Sequence, residues 1–153
     1  MIRSNRKNQP TSKHKSKKSR STPQETEYRL LITPHLNERR QEPTTLVVLE
    51  TTKSFATFRY ELSVEERVAG KSLSFKILGL KAPQLSLPSA GHAEFVKEYD
   101  GLNGTYEISI EGLDGTVTSF TLRISPTHVH VLKSAPQRAV ELITDRSVWH
   151  GTN

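Results

Sequence analysis

From residue 44 to residue 133 the chain alternates apolar and polar side chains with a period of two. Phe58, Tyr60, Leu62 and Val64 fall on one face of an extended chain, and Thr57, Arg59, Glu61 and Ser63 on the other. Leu73, Phe75 and Ile77 alternate with Ser72, Ser74 and Lys76. Tyr106, Ile108 and Ile110 alternate with Thr105, Glu107, Ser109 and Glu111, and Phe120, Leu122 and Ile124 with Ser119, Thr121 and Arg123. A strand with one dry face and one wet face carries this pattern. Turn dipeptides punctuate the runs: Ala69-Gly70, Asp100-Gly101, Asn103-Gly104 and Asp114-Gly115. Asn-Gly and Asp-Gly supply the positive φ that tight turns require. The pattern predicts strands near 28–33, 44–52, 55–64, 72–80, 93–99, 105–111, 117–124 and 127–133, with a hairpin over 105–124 turning at Leu113–Gly115. Short strands at this spacing predict an all-β domain, an antiparallel β-sandwich of seven or eight strands.

The remaining segments read differently. Tyr28–Thr33 forms a short strand that Pro34 stops, and 37–43 is a charged linker. Residues 81–92 hold two prolines and no regular period, so they cross between sheets as the longest irregular stretch. Ala139, Val140, Leu142 and Ile143 fit either a short helix after Pro136 or a last strand, and Trp149 is placed to cap the core. The expected organisation is an arm over 1–24, a linker with a short strand over 25–43, and a sandwich over 44–153.

Charge sharpens this division. The chain has a net charge of +6, 33% hydrophobic residues and a mean hydropathy of −0.56. Residues 1–24 carry Arg3, Arg6, Lys7, Lys13, Lys15, Lys17, Lys18 and Arg20 with no acid, and only Met1 and Ile2 are apolar. The other residues hold 14 basic and 16 acidic side chains, a net −2. The basic character therefore belongs to the arm. An arm with nothing to bury cannot offset its ordering entropy, so it is expected to be disordered. It has no apolar face at any period, which excludes an amphipathic helix.

Several function classes fall away. No apolar run reaches the length of a membrane span, and no apolar stretch follows the basic start as in a secretory signal. The chain has no cysteine, which excludes a disulfide scaffold, a thiol nucleophile and Cys-ligated zinc. A cytoplasmic or other reducing compartment is the expectation, with a virion as the location under the coat-protein reading below.

Candidate chemistry is sparse. His128-Val129-His130 places two imidazoles on one face of a strand, where they are candidate metal ligands. The pair resembles the His-x-His of cupins, although Val131–Ala135 lacks the acidic ligand and glycines of that pattern. His92 and Glu94 form a similar i, i+2 pair. If Val129 and Val131 face the core, both histidines are simply solvated. Gly70-Lys71-Ser72 matches the end of a phosphate-binding loop, but Glu65 stands where the first glycine belongs, and the flanking segments read as strands. A turn is the better reading. Asn103-Gly104-Thr105 matches a glycosylation acceptor and equally a tight turn. No Gly-x-Ser-x-Gly or His-Glu-x-x-His occurs, and Glu65, Glu66, Glu141 and Asp145 read as exposed charges. Neither an enzymatic activity nor a cofactor is expected.

The arm is the strongest functional signal. Eight cations among small polar residues suit a flexible contact with a polyanion such as RNA or DNA, through counterion release. The absence of aromatic residues from the arm argues against base stacking. A basic arm ahead of a β-domain resembles the layout of small virion coat proteins, which implies a jelly roll and packaging of nucleic acid by the arm. Gly101–Ile124 is similar to hairpins of immunoglobulin-like and fibronectin-like domains. The leading expectation is a non-enzymatic binding module whose sandwich meets a protein partner, by self-association or strand-edge pairing, while the arm holds a polyanion. A self-assembling coat or scaffold protein is the second, and a metal-binding sandwich using His128 and His130 the third.

Overall fold

A computed structural model of the chain describes residues 26–82, 90–134 and 139–149. The expected arm and the middle of the 81–92 segment lie outside these residues. Nine strands follow in order: β1 (Tyr28–Asn37), β2 (Glu42–Phe55), β3 (Glu61–Ala69), β4 (Ser72–Lys81), β5 (Gly91–Asp100), β6 (Gly104–Glu111), β7 (Val117–Ile124), β8 (Val129–Ser134) and β9 (Val140–Ile143). No helix occurs among the described residues, so none is long and apolar enough to cross a membrane.

All nine strands join one hydrogen-bonded sheet in the order β8-β7-β6-β4-β3-β5-β2-β1-β9. A sandwich reading calls for two separate sheets; here a single sheet curls on itself. Its concave face encloses one core drawn from nearly every strand: Leu30 and Ile32 of β1, Leu49 of β2, Phe75 of β4, Ile108 of β6 and Leu122 of β7 are buried together. The curl brings β8 near β1, close to the opposite edge. Closing a sheet toward itself buries the inner face of its strands, and where nothing covers the outer face it stays wet, which is why the period of two runs through β4, β6 and β7.

The strand expected over 55–64 is broken, because residues 56–60 lie outside any strand and β3 starts only at Glu61, and three further details depart from the sequence expectation. The sheet is mixed, not purely antiparallel: β9 pairs parallel to β1, β6 parallel to β4, and β3 touches β5 in parallel at Glu61 and Glu94. Pro34 does not stop β1, which runs in register with β2 from Tyr28↔Thr51 to Asn37↔Glu42. The 37–43 segment is accordingly the tip of a hairpin. The Asn37 carbonyl accepts from the Gln41 amide at 2.8 Å, and its side chain accepts from the Arg39 and Arg40 amides at 3.1 Å each. An Asx-type turn of this kind closes the hairpin without glycine, with Gln41 taking a φ of 55°. Third, Trp149 packs on the convex side against a second cluster of Leu31, Leu46 and Val48 instead of capping the main core.

Ala69-Gly70 and Asp114-Gly115 turn hairpins as read, whereas Asp100-Gly101 and Asn103-Gly104 lie on the crossover from β5 to β6, which do not pair. Gly70, Gly101, Gly104 and Gly115 all have positive φ. The β6–β7 hairpin is pinned by Gly112 N–H to Thr116 carbonyl at 3.0 Å, and by Asp114, which accepts from the Thr116 amide at 3.0 Å. Bonds from the Thr116 amide and hydroxyl hold the Asp114 carboxyl below its usual range.

Candidate functional site

The predicted residues fall in three places. The eight arm cations lie outside the described residues. His128 and His130 sit at the start of β8, both exposed, with their rings stacked at 5.7 Å and 5°. Val129 between them packs against the core, as alternation requires. His128 Nδ1 lies 2.9 Å from the Thr127 hydroxyl, and the Ser125 hydroxyl accepts from the His128 amide at 3.0 Å. Among the described residues no group of three or more His, Cys, Asp or Glu is placed to hold a metal ion. His92 turns elsewhere: its Nδ1 donates to the Thr51 carbonyl at 2.8 Å.

β8 is an edge of the sheet. It pairs only with β7, and its register skips Leu132, so that Val131 opposes Leu122 while Lys133 opposes Thr121. Val131 and Leu132 stand 47% and 50% exposed beside this irregularity. A bulge and a lysine are ways by which edge strands resist uncontrolled pairing, yet two half-exposed aliphatic side chains remain available for contact.

Among the described residues, four of the body's Lys and Arg side chains meet carboxylates. Arg29 meets Glu50 at 2.7 Å, Lys97 meets Glu66 at 2.6 Å, and Arg67 lies 3.8 Å from Glu65. Arg40 grips Asp100 through both terminal nitrogens, at 2.6 and 3.0 Å, across the β1–β2 turn. That fork holds the Asp100 carboxyl below the usual range. Lys71, the lysine of the phosphate-loop look-alike, donates to the Asn103 carbonyl at 2.6 Å and lies 4.6 Å from the centre of the Tyr106 ring. Its turn is a hairpin between β3 and β4, with Gly70 at φ 57°.

Recesses on the surface of the described residues include the following two. One, of about 350 Å³, is polar and lies by the β1–β2 turn, lined by His35, Asn37, Glu38, Arg39 and Glu98. Glu98 accepts from Asn37 Nδ2 at 2.8 Å, and His35 Nδ1 accepts from Arg146 at 3.3 Å. The polar groups there are therefore engaged with one another. The other, of about 360 Å³, is mainly apolar and lies at one end of the curl. Sequence reasoning found neither recess, because each gathers residues from strands far apart in the chain. Comparison of the chain with protein-family models, with curated proteins and with solved structures finds no match in any of the three.

Proposed function

We propose that the protein is a non-enzymatic binding module in which residues 1–24 contact a polyanion such as RNA or DNA and the β-body meets a protein partner. The reading rests on the uneven distribution of net charge along the chain. Residues 1–24 carry +8 with no acid among them, whereas the remaining residues carry 14 basic and 16 acidic side chains, a net −2. A polyanion is attracted to unneutralised charge, so the contact is assigned to Arg3, Arg6, Lys7, Lys13, Lys15, Lys17, Lys18 and Arg20. In this reading the curl acts as a sandwich, with the β6–β7–β8 side facing the β1–β2–β9 side, in the manner of immunoglobulin-like or jelly-roll bodies. The β8 edge offers Val131 and Leu132 to the partner. The bulge at Leu132 shortens the stretch able to pair by backbone, so side-chain burial carries that contact.

The test is a salt titration of binding to a labelled oligonucleotide. The logarithm of affinity is expected to fall steeply with the logarithm of salt, and deletion of residues 1–22 to abolish binding while leaving the melting temperature nearly unchanged. A flat salt response overturns the charge-neutralisation reading. The open β8 edge also favours a second reading, self-assembly as a coat or scaffold. Light scattering after size exclusion separates the two: a monomer or dimer at high concentration counts against assembly, and a Val131→Glu variant that dissociates a larger species supports it.

A further inference from the structure

The apolar recess is built by two breaks in the sheet. The β2–β5 register holds to Glu50↔Glu94 and resumes only at Ser54↔His92, so residues 51–53 leave the ladder. In the β3–β4 pair, Ser63 opposes Gly79 and Val64 opposes Ile77, so Leu78 has no partner in register. Both breaks lie at the same end of the curl, and residues at or beside both line the recess: Thr51, Thr52 and Lys53 from the first, Leu62, Ile77 and Gly79 from the second. Gly79 has a φ of 146°, a backbone state that favours glycine, and it leaves the wall there without a side chain. Breaks of this kind sit at barrel rims, where they widen the sheet beyond what core side chains fill.

The Thr51 and Thr52 hydroxyls of the wall are already engaged within the protein. The Thr51 hydroxyl donates to the Lys53 carbonyl at 2.7 Å and accepts from the Ala93 amide at 3.1 Å. The Thr52 hydroxyl donates to the Thr26 carbonyl at 2.8 Å. What faces the space is Tyr28, Phe55, Leu62, Ile77, Leu80 and Leu113. Phe55 is fixed edge-on against Tyr60, with ring centres 5.1 Å apart. Leu80 and Leu113, at 48% and 65% exposure, form an apolar lip. The rim carries Glu27 and Lys53, one charge of each sign, so it favours neither an anion nor a cation.

We propose that this end of the curled sheet is a binding site for a small, uncharged, predominantly apolar molecule. The volume of about 360 Å³ falls at the lower end of small-molecule sites, roughly 300–1,000 Å³, and the lining matches their usual chemistry. Burial of the molecule's apolar surface drives binding, and the half-exposed lip completes its cover. The site is independent of the polyanion contact assigned to residues 1–24.

The experiment titrates the full chain with the neutral dye N-phenylnaphthylamine and, separately, with the anionic dye anilinonaphthalene sulfonate, following fluorescence. The expected result is saturable one-to-one binding of the neutral dye, tighter than the anionic one. The Leu80→Gln/Leu113→Gln double variant alters only exposed lip residues and is expected to weaken the neutral dye by about tenfold with an unchanged circular-dichroism melt. Phe55→Ala, at a partly buried position, is expected to weaken it as well, so the proposal stays testable if the double variant folds poorly. Non-saturable binding, tighter binding of the anionic dye, or full affinity in both folded variants overturns the proposal.

Discussion

The two sides of the sheet are built by different rules. In the β6–β7 hairpin one face is buried, with Ile108, Leu122 and Ile124 fully enclosed, while Glu107 and Arg123 stay in water. In the β1–β2 hairpin both faces are buried. Leu30, Ile32, Val47 and Leu49 point into the main core, and Leu31, Leu46 and Val48 point out, under Ile143 and Trp149. The convex side also holds an ion pair, Arg29 with Glu50 directly opposite it, and Glu50 has no exposed surface. The Arg29 guanidinium lies 5.8 Å from the centre of the Trp149 ring. A chain segment from the C-terminal end therefore makes a second, smaller layer on one third of the sheet. One layer is a large shared core; the other is a local patch that depends on a few residues.

This contrast predicts unequal responses to truncation. Ile108→Ala opens the shared core and is expected to cost about 2–5 kcal/mol, because neighbours from several strands cannot all collapse into the gap. Urea unfolding should show the midpoint falling with an unchanged slope. A loss below about 1 kcal/mol would mean that the core is loosely packed and the shared-core picture wrong. Next in size is the buried pair. Arg29→Met leaves the Glu50 carboxylate in its enclosed place without the guanidinium and is expected to cost about 3 kcal/mol, the low end for such a loss because Arg29 remains 23% exposed. The double variant Arg29→Met/Glu50→Leu should recover most of that loss. If it does not, packing under Trp149 and not charge compensation holds the convex layer.

The smaller layer should also open first. Trp149 is the sole tryptophan, so its emission reports this patch alone. With urea the emission maximum is expected to shift to the red before the far-ultraviolet strand signal decays, since β9 has four residues and is held mainly by β1. Coincident transitions would show instead that the two layers unfold as one unit.

The same contrast explains what could be read from the chain. Where one face is wet, as in β4, β6 and β7, alternation located the strands to within a residue or two. Where both faces are dry, the Leu30-Leu31-Ile32 and Leu46–Leu49 runs carry no alternation, and the convex layer has no signature of its own. Pro34 misled because a proline ends a strand only if its missing N–H is needed in the ladder. The parallel contacts of β9 and β6 depend on how the chain crosses over, which periodicity does not encode. The His128 and His130 pair was legible as two side chains on one face, but whether a third ligand joins them is a question of tertiary geometry. The apolar recess left only a faint trace, the Gly79 that interrupts the β4 alternation.

The smallest expected effect lies at the concave face, where Glu66 of β3 meets Lys97 and Tyr99 of β5. Burial alone would raise the Glu66 carboxyl, but the hydrogen-bonded Lys97 ammonium at 2.6 Å and the neighbouring Tyr99 hydroxyl outweigh it and leave the group below its ordinary value. Burial and the same carboxylate push the Tyr99 hydroxyl far above its usual range, so it stays protonated. A carboxyl with a folded value lower than its unfolded one stabilises the fold above the unfolded value, about pH 4.3 for glutamate, and that contribution is lost as the pH falls through the folded value. Wild type should therefore lose stability on acidification from pH 6 toward pH 3. Glu66→Gln, which keeps an acceptor without the charge, should be slightly less stable near neutrality and show a shallower acid decline. Parallel declines in the two proteins would assign the acid sensitivity to exposed carboxylates such as Asp100 and Asp145, both held low by their hydrogen bonds, and would make this cluster a packing feature of the core instead of an electrostatic one.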